Sequence, residues 1–401
     1  MLRKHLAQYE DEELKTEIAR HVEDKVPESR RLDYKAEAPR LDTAPGKREA
    51  AKDISSFANE IGGYVIYGIP EEPQALPDGT KTAIPMKPYG IDPIQGFEGR
   101  LLDVLVETMA PRLPDLEIRK VQTEFSQKVV YVAWHSESWM APHMVQAWGD
   151  NRFYRRELLR SVRMDEHEVR QKYMHARQQL DGATAFLESP EITFYGQVFA
   201  GRKMHFASCP LILLPDRVDF SSTQMREWLL ESHALALSQP YTWTPSREGV
   251  SAGREREAHN DELGGEWYCE LHRNGAFSYW EDTPIRPAKA TGAAAAQHDR
   301  IDMEQVLNRC GACIEFCSHF YQRIGFYQPV ALRLSVMPCA GLGFYFSSTW
   351  QVSPDNPAAK LAVRGDVLRI DRLASTAQLI AESQAVEQTL VDAVRHAFRK
   401  W

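Results

Sequence analysis

Leu2, Leu6, Tyr9, Leu14 and Ile18 fall near helical spacing with charged residues between them, which predicts an amphipathic helix over residues 1 to about 24. The period then shortens. Leu32 and Tyr34 alternate with Asp33 and Lys35, so a strand is expected through Ala36 with Asp33 and Lys35 on one face. The prolines and glycine of APRLDTAPGK mark a loop, and a helix is expected from about Arg48 to Glu60. Gly62 and Gly63 close it and turn the chain into a buried strand over Tyr64 to Ile69, ended by Pro70. EEPQALPDGTKT reads as a loop. Phe97 to Met109 predicts a helix burying Leu101, Leu102, Leu105 and Val106, stopped by Pro111. LEIRKVQTE and KVVYVAWHSE read as a strand pair, His143 to Tyr154 as a further pair, and Asp165 to Leu180 as a closing helix.

DGATAFLESPE reads as a linker. Beyond it, EITFYGQVF, MHFASCPLILLP, EWYCELHRNGAFSYWED, VALRLSVM and LGFYFSS are strand candidates, with Asn274-Gly275 as a hairpin turn. WTPSREGVSAGREREAHNDELGG and RPAKATGAAAAQHDR read as loops, and Met303 to Ile324 and Ala374 to Trp401 carry helical apolar stripes. The expectation is an α+β protein of two domains, residues 1–180 and 186–401.

Charge narrows the choice of partner. A formal charge of -8 over 401 residues excludes a protein coated in basic residues, so nucleic acid would have to be met by a local patch. Arg152, Arg155, Arg156, Arg160 and Arg163, opposed within their run by Glu157 alone, are one such patch. Arg30, Arg31, Lys47 and Arg48 form a second. No stretch has the length of a membrane span, the first residues lack the apolar core of a signal peptide, and six irregularly spaced cysteines suit a reducing compartment. A cytoplasmic location with no membrane partner is expected.

The candidate chemistry lies in Glu28, Asp33 and Glu71. Clustered carboxylates are the hard-oxygen ligands that hold Mg2+ or Mn2+ for phosphodiester hydrolysis, and Lys35 would add a positive charge beside the phosphate. ESRRLDYK, KDISSFANEIGGYVIYGIPEE and DNRFYRRELLRSVRMDEHEV, in this order, resemble the Alba-like domain of the Schlafen family over roughly the first 180 residues. The resemblance implies an α/β nuclease domain cutting transfer or other structured RNA, with Glu28, Asp33 and Glu71 as its catalytic metal ligands. Asp33 stands where Glu is usual, Glu71 where Asp is usual, and Gly68-Ile69-Pro70-Glu71 replaces a Gly-Val-Asp-Asp turn. Tyr154 and Arg155 fall at the family's Tyr-x-Arg element, so Arg155 is the favoured phosphate contact, followed by Arg152, Arg156 and Arg31. By analogy the chain would be a toxin-like or anti-phage defence effector, possible as a homodimer or within a larger complex. A nucleic-acid-binding regulator without cleavage is the alternative.

Other signals are weaker. Asn59, Gly62 and Gly63 are expected to serve a tight, left-handed helix-to-strand connection. Cys310, Cys313, Cys317 and His319 fit a packed helical stripe better than a zinc site, and His135, His143, His167 and His175 are not at metal-ligand intervals. No phosphate-binding loop or serine elbow is present, so ATP hydrolysis has no support.

Overall fold

Leu14, Ile18, His21 and Val22 form the buried stripe of helix α1 (Asp11–Glu23), whose first turn places Asp11, Glu12 and Glu13 at the positive end of the helix dipole. A computed structural model describes residues 6, 9–75, 81–113, 116–125, 127–147, 149–188, 193–194, 197–198, 202–212, 218–231, 242–246, 248–254, 266–286, 299–339, 341–347, 350–352, 363–364 and 367–399. The first helix therefore starts later than the apolar spacing predicts, with Leu6 and Tyr9 buried ahead of it and Leu2 outside the described residues. The chain divides into two compact units, Met1–Gln179 and Leu180–Trp401.

In the first unit, β1 (Leu32–Lys35) lies parallel to β2 (Gly62–Tyr67), and the connection between them is α2 (Ala44–Ala58). The helix begins inside the expected loop. Thr43 caps it, its Oγ1 accepting from the Gly46 N–H at 3.2 Å, and Pro45 suits the first turn because no N–H is needed there. The segment expected as a loop after Pro70 is instead a hairpin of β3 (Glu71–Ala75) and β4 (Lys81–Pro85), with residues 76–80 outside the described set. Helix α3 (Phe97–Thr108) is turned from the expected phase: Val104 is buried with Leu101 and Leu105, while Leu102 and Val106 are exposed. After β5 (Met109–Ala110), the strands β6 (Glu117–Gln122) and β7 (Val129–Ser136) pair as expected and complete a sheet ordered β1-β2-β7-β6.

The remaining strands form a second ribbon. The segment His143 to Tyr154, expected as a further strand pair, is a hairpin, β8 (Met144–Ala147) and β9 (Asp150–Glu157), extended by β10 (Arg160–Arg163) into a sheet ordered β10-β9-β8-β5. Helix α4 (Glu166–Glu188) runs on through most of the expected linker. Phe57, Val65, Phe97, Leu101, Tyr131 and Tyr154 belong to one buried cluster, which joins α2 and α3 to both sheets.

In the second unit, the expected strand EITFYGQVF lies largely outside the described residues, which retain β11 (Thr193–Phe194) and β12 (Gln197–Val198). The main structure is an antiparallel sheet ordered β14-β15-β16-β17-β13-β20-β24-β23. Its strands are β13 (Lys203–Pro210), β14 (Thr244–Pro245), β15 (Gly249–Arg254), β16 (Trp267–His272), β17 (Phe277–Asp282), β20 (Val330–Met337), β23 (Val363–Arg364) and β24 (Val367–Ala374). Two of these, β14 and β15, occupy the start of a segment expected as loop, where Val250 and Ala252 pack inward. The hairpin at Asn274-Gly275 is as expected, with Gly275 at φ 86°. A smaller sheet holds β18 (Ile285–Arg286), β19 (Arg300–Asp302), β21 (Gly343–Ser347) and β22 (Trp350–Val352). Helix α5 (Thr223–Glu231) is not among the elements the sequence predicts, and α6 spans Met303–Ile324 as predicted, capped by Asp302 and ended by Gly325 at φ 64°. The last predicted helix is two, Thr376–Ala381 and Ser383–Arg399, broken at Glu382. The protein is of the α+β class, and among the described residues no helix is long and apolar enough to cross a membrane.

Candidate acidic centre of the first unit

Period-two alternation in β1 places Asp33 and Lys35 on one face, where Lys35 Nζ lies 2.6 Å from Asp33 Oδ2. From β9, Arg156 reaches the same carboxylate, its Nη2 donating to Oδ1 at 2.8 Å. Asp33 and Arg156 are both almost wholly buried, with side chains 2% exposed, and the guanidinium sits 4.9 Å above the Phe57 ring. Burial alone would push the Asp33 carboxyl up. The charges of Arg156 and Lys35 outweigh it and hold the group below the usual carboxylate range.

Glu28 lies just ahead of β1. Its Oε1 accepts the Tyr34 N–H at 2.9 Å, and its own N–H donates to the Ala83 carbonyl of β4 at 2.9 Å, so the hairpin fixes its backbone. Its carboxyl also shares a hydrogen bond with Asp33. Burial, that hydrogen bond and the Asp33 charge raise the Glu28 pKa to about 9, with Glu71 adding to the repulsion. The shift favours the protonated form of Glu28 at neutral pH, the two carboxyls titrating as a coupled pair.

Glu71 is the first residue of β3 and is exposed, paired in register with Pro85. The structure brings Glu28 and Asp33 into contact but leaves Glu71 outside that contact. Among the described residues no group of three His, Cys, Asp or Glu side chains is assembled as a metal-ligand set. The expected triad is thus a pair with a third carboxylate near enough to be felt.

Behind the pair lies an acid that sequence reading passed over. Asp53, on the buried face of α2, is 4% exposed and accepts from Ser161 Oγ at 3.3 Å, while Ser161 and Ser56 share a hydrogen bond of 2.9 Å. Burial raises its pKa to about 6, Lys35 pulling down and Asp33 pushing up. The Tyr67 hydroxyl is buried within the field of Asp53 and Asp33 and has no hydrogen-bond partner among the described residues. A charged residue in phase with Ala50, Ile54 and Phe57 was the available signal for Asp53.

The arginines divide by strand alternation. Arg156 was expected on a nucleic-acid surface, but its inward position in β9 and its bond to Asp33 remove it from any surface contact. Arg155 points the other way and is engaged with Glu168 at 2.7 Å and Glu157 at 3.4 Å. Arg152 is half exposed, 3.3 Å from Asp150, and Arg31 is exposed just before β1, its carbonyl accepting the Tyr64 N–H. Of the four, Arg152 and Arg31 offer the most accessible charge.

The signature residues around Asn59 act through hydrogen bonds and close approach. Asn59 is not left-handed, at φ -78°; its amide donates to the His143 and Tyr154 carbonyls at 3.0 and 2.8 Å and accepts the His143 N–H at 2.6 Å. It ties the end of α2 to the ribbon that carries Arg156. Gly62 does take the left-handed geometry, at φ 72°, where a Cβ would meet backbone of residues 135–137 at 2.7 Å. His143 bonds to the Pro111 carbonyl and to Ser138, and burial lowers its pKa to about 4. Cys310, Cys313 and Cys317 are buried thiols in the core of the second unit, as packing predicts, and His319 is exposed. No protein-family model, curated protein or solved structure matches the chain.

Proposed function

We propose that the first unit is a metal-dependent endoribonuclease in which Glu28 and Asp33, with Glu71 at the edge, take Mg2+ or Mn2+ and cut structured RNA, transfer RNA first. The observation that carries this reading is the approach of the half-buried Glu28 carboxyl to the buried Asp33 carboxylate beside Lys35. The donor set suits a hard cation. Arg156 and Lys35 both engage Asp33, and among the described residues no ion pair serves Glu28, whose raised pKa marks it as the carboxyl a cation would relieve. When bound, such a cation supplies the charge and the acidified water that phosphodiester hydrolysis needs.

The chain's own residues have separable tasks in this reading. Glu28 releases its proton and offers oxygen in its place. Arg156 fixes the orientation of Asp33 from behind. Lys35, about a third exposed, steadies the negative charge that grows on the phosphate. Arg152 and Arg31 hold flanking phosphates, a contact that positions RNA without reading its bases. A toxin-like or defence role, alone or as a homodimer or part of a larger complex, follows from the Schlafen resemblance. The test is cleavage of total transfer RNA with Mn2+, Mg2+ or EDTA, by wild type and by Glu28→Gln and Asp33→Asn. Cutting that needs metal and is lost in both variants supports the assignment; cutting that survives them removes it.

One observation favours a second reading. Asp33 is already neutralised by two cations, which suits a unit that binds nucleic acid and does not cut it. Steeply salt-dependent binding without metal-dependent cleavage is its signature.

A further inference from the structure

The second unit contains a cavity of about 370 Å³ walled by α5, β14 and β15. Phe220, Leu229, Trp243 and Val250 give it an apolar lining, and Arg226 and Arg273 supply its charge. Its volume lies within the ~300–1,000 Å³ typical of small-molecule sites.

The aromatic walls are backed by α6. Phe220 is stacked on Phe320 with ring centroids 6.5 Å apart and planes 7° apart, and Trp243 on Phe316 at 6.0 Å and 17°. Both faces are therefore held flat against a packed core. The charge is one-sided. No Asp or Glu is among the described lining residues, while Arg226 and Arg273 are exposed and make no salt bridge among the described residues. Asp219 feels the Arg226 charge, but its carboxylate is bound by the Ser221 N–H at 2.9 Å and by the Ser221 hydroxyl.

We propose that this cavity binds a small organic anion, its flat or aliphatic body between Phe220 and Trp243 and its carboxylate or phosphate on Arg226 and Arg273. Guanidinium groups take such anions through paired hydrogen bonds, and the apolar wall selects against inorganic ions. The proposal is independent of the nuclease reading, because it concerns residues of the other unit.

The test is titration of the full chain with the anionic dye anilinonaphthalene sulfonate, beside its uncharged analogue phenylnaphthylamine. The expected result is one saturable dye site per chain, with weaker binding of the uncharged analogue. Binding should weaken by about tenfold or more in Arg226→Gln/Arg273→Gln. Leu230→Glu gives a second check: this rim residue is 71% exposed, so the change adds a repelling charge without disturbing the core. Unfolding temperatures of both variants should match wild type. Competition then separates the sources, since displacement by decanoate marks a carboxylate amphiphile and displacement by adenosine monophosphate a nucleotide. Dye binding that does not saturate, is equal in the variants, or is displaced by neither anion overturns the proposal.

Discussion

The two units bury charge in different ways. In the second, Arg333 pairs with Asp371 at 2.5 Å, but the aspartate is 54% exposed, so water shares the cost of that pair. Around α6 the core is thiols and rings: Cys310, Cys313 and Cys317 with Phe316 and Phe320. In the first unit both partners of the Asp33–Arg156 pair are buried, and Glu28 and Asp53 add acid beside it. Burying ions together costs stability unless each is well paired. The lesson is where to look for chemistry: an apolar core explains itself by packing, whereas acid packed against acid needs a proton, a lysine or a metal ion to persist.

The largest effect expected from breaking this contrast is at Arg156. Arg156→Ala leaves Asp33 buried with one partner fewer and should cost about 3–5 kcal/mol in chemical denaturation. Arg333→Ala, whose partner is half in water, should cost less, on the order of 1–2 kcal/mol. Equal losses would erase the distinction between the units.

Asn59→Ala comes next. It strands two carbonyls and an N–H at the junction of α2 with the ribbon, and about 3 kcal/mol is expected by the same measurement.

Glu28→Gln should act in the opposite direction at neutral pH. The folded-state pKa is raised from 4.5 to about 9, so this group's contribution to stability is complete below pH 4.5 and is lost as pH rises towards 9. Gln cannot ionise. The variant should therefore lose less thermal stability than wild type between pH 5 and 9, with the gap between the two widening towards the upper end. A parallel pH profile in the two proteins would place Glu28 in water.

Tyr67→Phe is the smallest. Removing a buried hydroxyl without a partner among the described residues should change stability by less than about 1 kcal/mol. A larger loss would mean that Tyr67 holds the carboxylates.

Much of this contrast was legible in the sequence, unevenly. Helix α6 was readable to its ends because its apolar stripe, its Asp302 cap and Gly325 agree. Asp33 and Lys35 were placed on one face by strand alternation, a purely local property. Non-local features were lost. Period two within β9 turns Arg156 inward and Arg155 outward, but a cluster of arginines gives no sign of which is buried until Asp33 is seen opposite. The β3–β4 hairpin hid behind proline and glycine, which are frequent in loops, and its pairing is what positions Glu28. Asp53 was missed because a single acid in a helical stripe resembles a surface position.

The central claim is that the proton on Glu28 stands where a divalent cation binds. Calorimetric titration with Mn2+ at neutral pH, in buffers of different ionisation enthalpy, measures binding and proton release together. The account predicts Mn2+ binding coupled to release of close to one proton in wild type, and weak binding without release in Glu28→Gln. Absence of binding in wild type, or equal binding and release in the variant, would contradict it.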